Sequence, residues 1–185
     1  MAEEKKLTRA FICIEFSDEV IKEVARVQEL IGKVKFTGKL TELENLHLTL
    51  KFLGEIDDEK LERVKTALKK IEFKPMKLKL GKVGTFSVRG KPSIVWIKVE
   101  GKAIYDLQKA IDGVLSREFK PEERFMGHLT VARVKYVKDK KGFLEHINSI
   151  KCKPVAFDCL NFKLKKSDLK QLGPIYTDIE VYKSE

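Results

Sequence analysis

Two tetrads in this chain carry the same kinds of side chain in the same order: His47-Leu48-Thr49-Leu50 and His128-Leu129-Thr130-Val131. The histidines lie 81 residues apart (128 − 47) in a chain of 185, so each half holds one copy. On a β-strand successive side chains alternate faces, so each tetrad sends its histidine and threonine one way and its aliphatic pair the other. The aliphatic pair suits a core, and the histidine and threonine then face a cleft. A lone histidine on a strand is usually a satisfied structural residue. Two histidines, each with a threonine at i+2 and the same apolar reverse face, weigh against that reading.

Imidazole, with an unperturbed pKa of about 6.5, serves as base when neutral and as acid when protonated near one working pH. A facing pair therefore supplies both halves of a phosphodiester cleavage. Each threonine hydroxyl can donate a hydrogen bond to a non-bridging phosphate oxygen, and basic surroundings would stabilise the charge that develops there. Acid and base placement contribute about 10²- to 10⁴-fold each, so an activated phosphoester does not require a metal.

Two neighbours of the tetrads, Lys51 and Phe86, are candidate substrate contacts by parity and residue type, and a third, Arg133, has the parity of the opposite face. Arg133 lies five positions past His128, and strict alternation puts it on the opposite face; it reaches the cleft only where the strand bulges or ends. Lys51 shares the parity of His47 and Thr49 and reads as a phosphate contact or, more readily, as a solvated lysine. Phe86 divides evenly between core packing and stacking on an RNA base, whereas Trp96, in an alternating strand, reads as core. The stretch Gly84–Pro92 has five residues between its glycines and a proline after the lysine, so it fails the Walker pattern and ATP-dependent ligation is not expected. His146 stands outside the repeat and reads as a surface or helix-flank residue.

The two tetrads, with FSVRGKPSIVWIKV between them, HLTVAR at the second and LGPIYTDIEVY near the end, resemble the two-histidine (2H) phosphoesterases. Within these, the resemblance is to the 2′-5′ RNA ligase or RNA 2′,3′-cyclic phosphodiesterase family, and it covers essentially the whole chain. It implies an α+β fold of two similar lobes with antiparallel sheets, related by a pseudo-two-fold, with the active-site cleft between them. The domain it implies is one bilobal unit over residues 1–185, with motifs at 47–50 and 128–131. It further implies that His47 is the proton donor to the leaving 3′ oxygen and His128 the proton acceptor that activates water. Thr49 and Thr130 would hold phosphate oxygens, and Arg133 matches the family's arginine beside the phosphate. The implied product is a 2′-phosphomonoester, and the reverse reaction with a 5′-hydroxyl would form a 2′-5′ linkage. No cofactor or metal is implied. The implied partner is RNA with a 2′,3′-cyclic phosphate end, tRNA fragments included, and nothing demands an assembly beyond the monomer.

The elements that must position these residues read as follows. Strands are expected near 8–16, 46–53, 77–83, 92–100, 127–136, 154–164 and 174–182. Helices are expected from a Ser17 cap to about Gly32, along Leu61, Val64, Leu68 and Ile71, over about 102–117, and after Asp139. Several strand-to-strand steps favour an α+β architecture over a doubly wound parallel sheet. No Gly/Ser-rich linker or low-complexity tract divides the chain.

Composition narrows the partners. Lys and Arg number 38 against 28 Asp and Glu, a net charge of +10. That balance favours a polyanion, nucleic acid first and an acidic membrane surface second, although the Lys/Glu richness is also a thermophile habit. Three cysteines without CxxC spacing argue against a disulfide framework or a cysteine zinc site and for a reducing, cytoplasmic compartment. The apolar run AFICI is far too short for a signal-peptide core or a membrane span. Two rival readings stand beside the enzyme. One is a non-catalytic basic RNA-binding module; the other is a metallohydrolase, which lacks any HxH, HExxH or carboxylate at a fixed offset from either histidine.

Overall fold

The computed structural model describes residues 6–185. In chain order it contains β1 (Leu7–Ile14), α1 (Asp18–Ile31), β2 (Thr37–Leu40), a 3-10 turn (Leu43–Asn45), β3 (Leu48–Asp57), α2 (Asp58–Leu68), β4 (Met76–Val88) and β5 (Lys91–Glu100). Then follow α3 (Lys102–Val114), β6 (His128–Tyr136), α4 (Lys140–Ser149), β7 (Ala156–Cys159), β8 (Asn161–Lys170) and β9 (Gly173–Lys183). The strands form two sheets, ordered β3-β1-β8-β9 and β2-β6-β5-β4-β7. All pairings are antiparallel, which makes the fold α+β as the element order required.

The run β1-α1-β3-α2 recurs as β5-α3-β6-α4, with β1 paired to β3 in one sheet and β5 to β6 in the other. This recurrence gives each tetrad strand a corresponding neighbour, although β3 is the edge of its sheet while β6 is covered by β2. The helices read correctly by their apolar period. Val20, Val24, Val27 and Ile31 of α1, Val64 and Leu68 of α2, and Ile104, Leu107 and Ile111 of α3 are all buried. They pack with the inward strand residues Ile12, Leu48, Val95, Ile97 and Leu129 in one core. The opposite faces of the two sheets are thereby left to line a cleft.

Three elements differ from the sequence reading. The strand expected at 154–164 is two strands: β7 extends the second sheet beside β4, and the chain then crosses at exposed Leu160 to enter the first sheet as β8. β4 runs on to Val88 and meets β5 through Arg89 and Gly90, both at positive φ (49° and 74°), the backbone of a primed two-residue hairpin turn. β2 was not expected, because its four residues are all exposed and carry no alternation.

Candidate active site

Each tetrad sits at the start of its strand, with the alternation the sequence implied. Leu48, Leu50, Leu129 and Val131 are fully buried, while His47, Thr49, His128 and Thr130 are half-buried. Burying each aliphatic side chain contributes about 1.5–3 kcal/mol, and a one-residue slip would exchange the faces, so register and site are fixed together. All four polar residues line a single cleft of about 520 Å³ between the sheets, together with Arg133, Phe86, Phe52 and Tyr176.

The two imidazoles are held alike. His47 Nδ1 lies 2.8 Å from the Asn45 carbonyl and His128 Nδ1 lies 2.7 Å from the Met126 carbonyl, in each case two residues back. A carbonyl only accepts, so Nδ1 carries the hydrogen in both rings and Nε2 is the nitrogen left for exchange. His47 Nε2 lies 3.1 Å from Thr49 Oγ1, close enough for the hydroxyl to donate to the neutral ring. Rings brace both imidazoles. Phe11 and Tyr176 pack on His47 with centroids at 4.9 and 5.2 Å, and Phe86 meets His128 edge-on at 5.1 Å.

Arg133 reaches the cleft by the one route alternation allowed. Opposite β5, Val95 pairs with Ala132 and Trp96 with Thr130, leaving Val131 as an extra residue. This bulge buries Val131 and Ala132 in succession and returns Arg133 to the face of His128 and Thr130. The first tetrad has the same irregularity at the same place: Ile12 pairs with Lys51 and Cys13 with Thr49, leaving Leu50 extra. Phe52, five positions past His47, is therefore the counterpart of Arg133; it is 70% exposed and lines the cleft.

The bulge also corrects the reading of Lys51 as a solvated lysine. It is only 6% exposed, and its ammonium donates to Asp112 Oδ1 at 2.5 Å and to the Lys120 carbonyl at 2.7 Å. Lys51 borders the cleft, but two of its three donors are committed to the protein. Phe86 is half-buried, between His128 and Trp96, with its Trp96 centroid distance 5.4 Å. Trp96 is buried as expected. His146 holds α4 to the end of α1 through Nε2 and the Leu30 carbonyl, 2.8 Å apart.

Several contributors carry no sequence signal. Behind His47, Lys163 bonds Glu15 at 2.6 Å and Asp178 at 2.8 Å, and Lys165 bonds both carboxylates as well. Burial pushes Glu15 and Asp178 up, but their bonds to the two lysines outweigh it and hold both below the usual carboxylate range. Burial is the largest influence on His47 and lowers it below the ordinary imidazole value. The Lys165 and Arg133 charges act the same way, opposed by the Asn45 carbonyl and Glu15. Nothing in the sequence linked Glu15 or Lys165 to the tetrads, and Tyr176 stood only within the LGPIYTDIEVY stretch of the resemblance without a role, because these residues meet only when β1, β8 and β9 pair.

Among known protein families, the model described as LigT-like phosphoesterase matches this chain twice, over residues 14–96 and 97–176, once in each half. The chain belongs to the LigT-like phosphoesterases. Among its curated relatives is the protein of Methanocaldococcus jannaschii named RNA 2′,3′-cyclic phosphodiesterase, 37% identical over 93% of this chain and 98% of the relative. A protein of Methanothermobacter thermautotrophicus with the same name is 31% identical over 95% and 98%. In fold, this LigT-like chain is similar to the crystal structure of TT0787 of Thermus thermophilus, with TM-score 0.76 and 24% identity over 95% of this chain and 97% of that one. It is also similar to E. coli LigT complexed with 3′-AMP, with TM-score 0.74 and 20% identity over 97% and 99%.

Proposed function

We propose that this LigT-like phosphoesterase hydrolyses RNA 2′,3′-cyclic phosphate ends to 2′-phosphomonoesters, using His47 and His128 as a metal-free acid–base pair. The observation that carries the proposal is the matched tethering of the two rings: each Nδ1–H is fixed on a backbone carbonyl, which leaves each Nε2 as the proton-exchanging nitrogen in one cleft, that of His47 beside the Thr49 hydroxyl. The curated relatives named RNA 2′,3′-cyclic phosphodiesterase support the same reaction class and an RNA substrate.

In this mechanism His128 Nε2 takes a proton from water, which attacks phosphorus, and His47 Nε2 donates a proton to the departing 3′ oxygen. Thr49, Thr130 and Arg133 bind the non-bridging oxygens, where charge builds up in the transition state. His47 must be protonated to act as donor, and in the free cleft burial disfavours that form. A bound cyclic phosphate brings a negative charge beside the ring and raises its proton affinity, so substrate itself prepares the acid. With a 5′-hydroxyl in place of water, the same residues run the same step: His128 takes the hydroxyl proton, the 5′ oxygen bonds phosphorus, and the P–O3′ bond breaks with a proton from His47, which joins a 2′-5′ linkage. The working unit is the whole bilobal chain, residues 1–185, since each half supplies one histidine.

Replacement of His47 or His128 by alanine tests the proposal. Each variant should lose about 10²- to 10⁴-fold in turnover of a 2′,3′-cyclic nucleotide while melting close to wild type. A folded wild-type protein that yields no 2′-phosphate from that substrate would instead favour a basic RNA-binding module. Loss of wild-type turnover in chelator would turn the reading towards a metallohydrolase.

A further inference from the structure

The cleft opens onto two unlike rims. One is the β8–β9 hairpin, whose Leu172 carbonyl accepts from Lys39 of β2 and which exposes Leu169, Leu172 and Ile175, with Leu172 90% exposed. At the other, three segments far apart in sequence converge at one end of the second sheet. Thr37 of β2 pairs with Tyr136 of β6, which brings Lys33 and Lys35 of the preceding connection towards that end. Ile94 pairs with Arg133, so the start of β5 and the β4–β5 turn place Arg89 and Lys91 there. A Cβ added at Gly90 would lie 3.9 Å from Lys140 Nζ, which puts the start of α4 against the same turn.

Residues 33–35, 89–91 and 133–141 together hold nine cations, all exposed, and one carboxylate, Asp139. The chain as a whole has 38 basic to 28 acidic residues, so this end is not an average sample of a lysine-rich surface. Asp139 is occupied in accepting from the Gly142 amide at 2.9 Å. Among the described residues only Lys141 of the nine has an ion-pair partner, Glu145 at 3.9 Å. Tyr136, 62% exposed, stands between Lys135 and Lys138. Unpaired cations with an interleaved aromatic ring are what a single nucleic-acid strand is held by. Arg133 belongs both to this face and to the cleft, so the two are continuous.

We infer that this basic end of the second sheet binds the single-stranded RNA that leads into the cleft. The inference rests on the reading of the cleft as the cyclic-phosphate site. A 2′,3′-cyclic phosphate closes the 3′ end of a chain, so the rest of the RNA continues only from the 5′ side of the terminal nucleotide. That strand leaves the cleft past Arg133 over the basic rim and not over the apolar hairpin.

The experiment compares a 2′,3′-cyclic mononucleotide with an RNA of about ten nucleotides bearing the same end, within the span that such single-strand surfaces cover. The test variant is Lys91→Glu/Lys135→Glu/Lys138→Glu, and the control is Lys70→Glu/Lys74→Glu/Lys183→Glu, three exposed lysines of the first lobe. The test variant should keep mononucleotide kcat/KM within about twofold and lose affinity for the longer RNA, measured by fluorescence anisotropy. At 0.1 M salt the loss should be on the order of 100-fold, and the log–log salt slope should fall by about 2, from roughly 0.7 per phosphate contact. Equal losses in test and control variants, or an unchanged affinity in the test variant, would overturn the inference. So would wild-type binding to phosphatidylserine vesicles with none to the longer RNA. If wild type turned over neither substrate, the catalytic reading would fall, while the anisotropy comparison would still decide the RNA surface.

Discussion

The Lys51–Asp112 pair invites a quantitative test, because it joins the two halves of the molecule through buried charges. Lys51 comes from β3 and Asp112 from α3, with side chains 5% and 11% exposed. Asp112 Oδ2 also accepts from Gln108 Nε2 and from the Glu122 amide, each at 2.8 Å. Lys51 and Asp112 therefore hold both Lys120 and Glu122 of the 115–127 connection, which forms one wall of the cleft and whose Met126 carbonyl anchors His128. Replacing Lys51 with Met leaves a buried carboxylate short of its cation and the Lys120 carbonyl short of a donor. Breaking a buried pair costs about 3–5 kcal/mol, and the two donors that Asp112 keeps place the expected loss near 3 kcal/mol. At about 2–4 °C per kcal/mol for a chain of this size, the melting temperature should fall by roughly 6–12 °C.

The pH dependence of that loss identifies its cause. In the wild type, burial pushes the Asp112 carboxyl up, but Lys51, the Glu122 amide and Gln108 outweigh it and hold the group low. A depressed carboxylate contributes stability above its unfolded pKa and loses it as pH falls through the folded value. In Lys51→Met the cation is gone and burial dominates, so the folded Asp112 binds its proton more readily than the unfolded one. Native protein then holds more protons than unfolded, and the stability of the variant improves, relative to wild type, as pH falls. Urea unfolding at about pH 7 and about pH 4.5 should show the gap between the two proteins narrowing at the lower pH. Lys51→Met/Asp112→Asn should recover at least about 1.5 kcal/mol of the single-variant loss at neutral pH, since no orphan charge remains. A gap that is constant with pH, together with additive single losses, would refute the argument.

Further outcomes follow from the site. The limb of the pH profile that requires protonated His47 should lie below pH 6.5 in kcat/KM, which reports the free enzyme, because burial depresses this ring. It should move upward in kcat, where bound phosphate opposes that depression; limbs that coincide in the two profiles would count against a substrate-prepared acid. Gly127→Ala places a Cβ 2.8 Å from the Val99 carbonyl oxygen in the residue before His128. A stability loss of about 1–3 kcal/mol in thermal melts is expected, with a fall in kcat as the imidazole is displaced. Arg133→Met should raise KM for the cyclic mononucleotide as well as for longer RNA, whereas the rim lysines should affect only the latter.

How far the sequence could be read depended on which partner fixes each feature. The four residues of each tetrad followed strand alternation, because Leu48, Leu50, Leu129 and Val131 are sorted by burial alone, and burial is legible in residue type. Alternation failed at the next step in both copies. A bulge is set by the neighbouring strand, Cys13 and Ile12 in one sheet and Trp96 and Val95 in the other, and those partners come from other parts of the chain. The parity of Arg133 recorded the conflict without resolving it. The same displacement explains Lys51 and Phe52, which no single-strand argument could place: Lys51 follows Ala132 into burial and Phe52 follows Arg133 into the cleft. The two halves thus share a backbone device and differ in what it delivers. One presents an aromatic ring to the cleft and the other a guanidinium, so a fold built from a repeated unit acquires a cleft with one aromatic and one charged side.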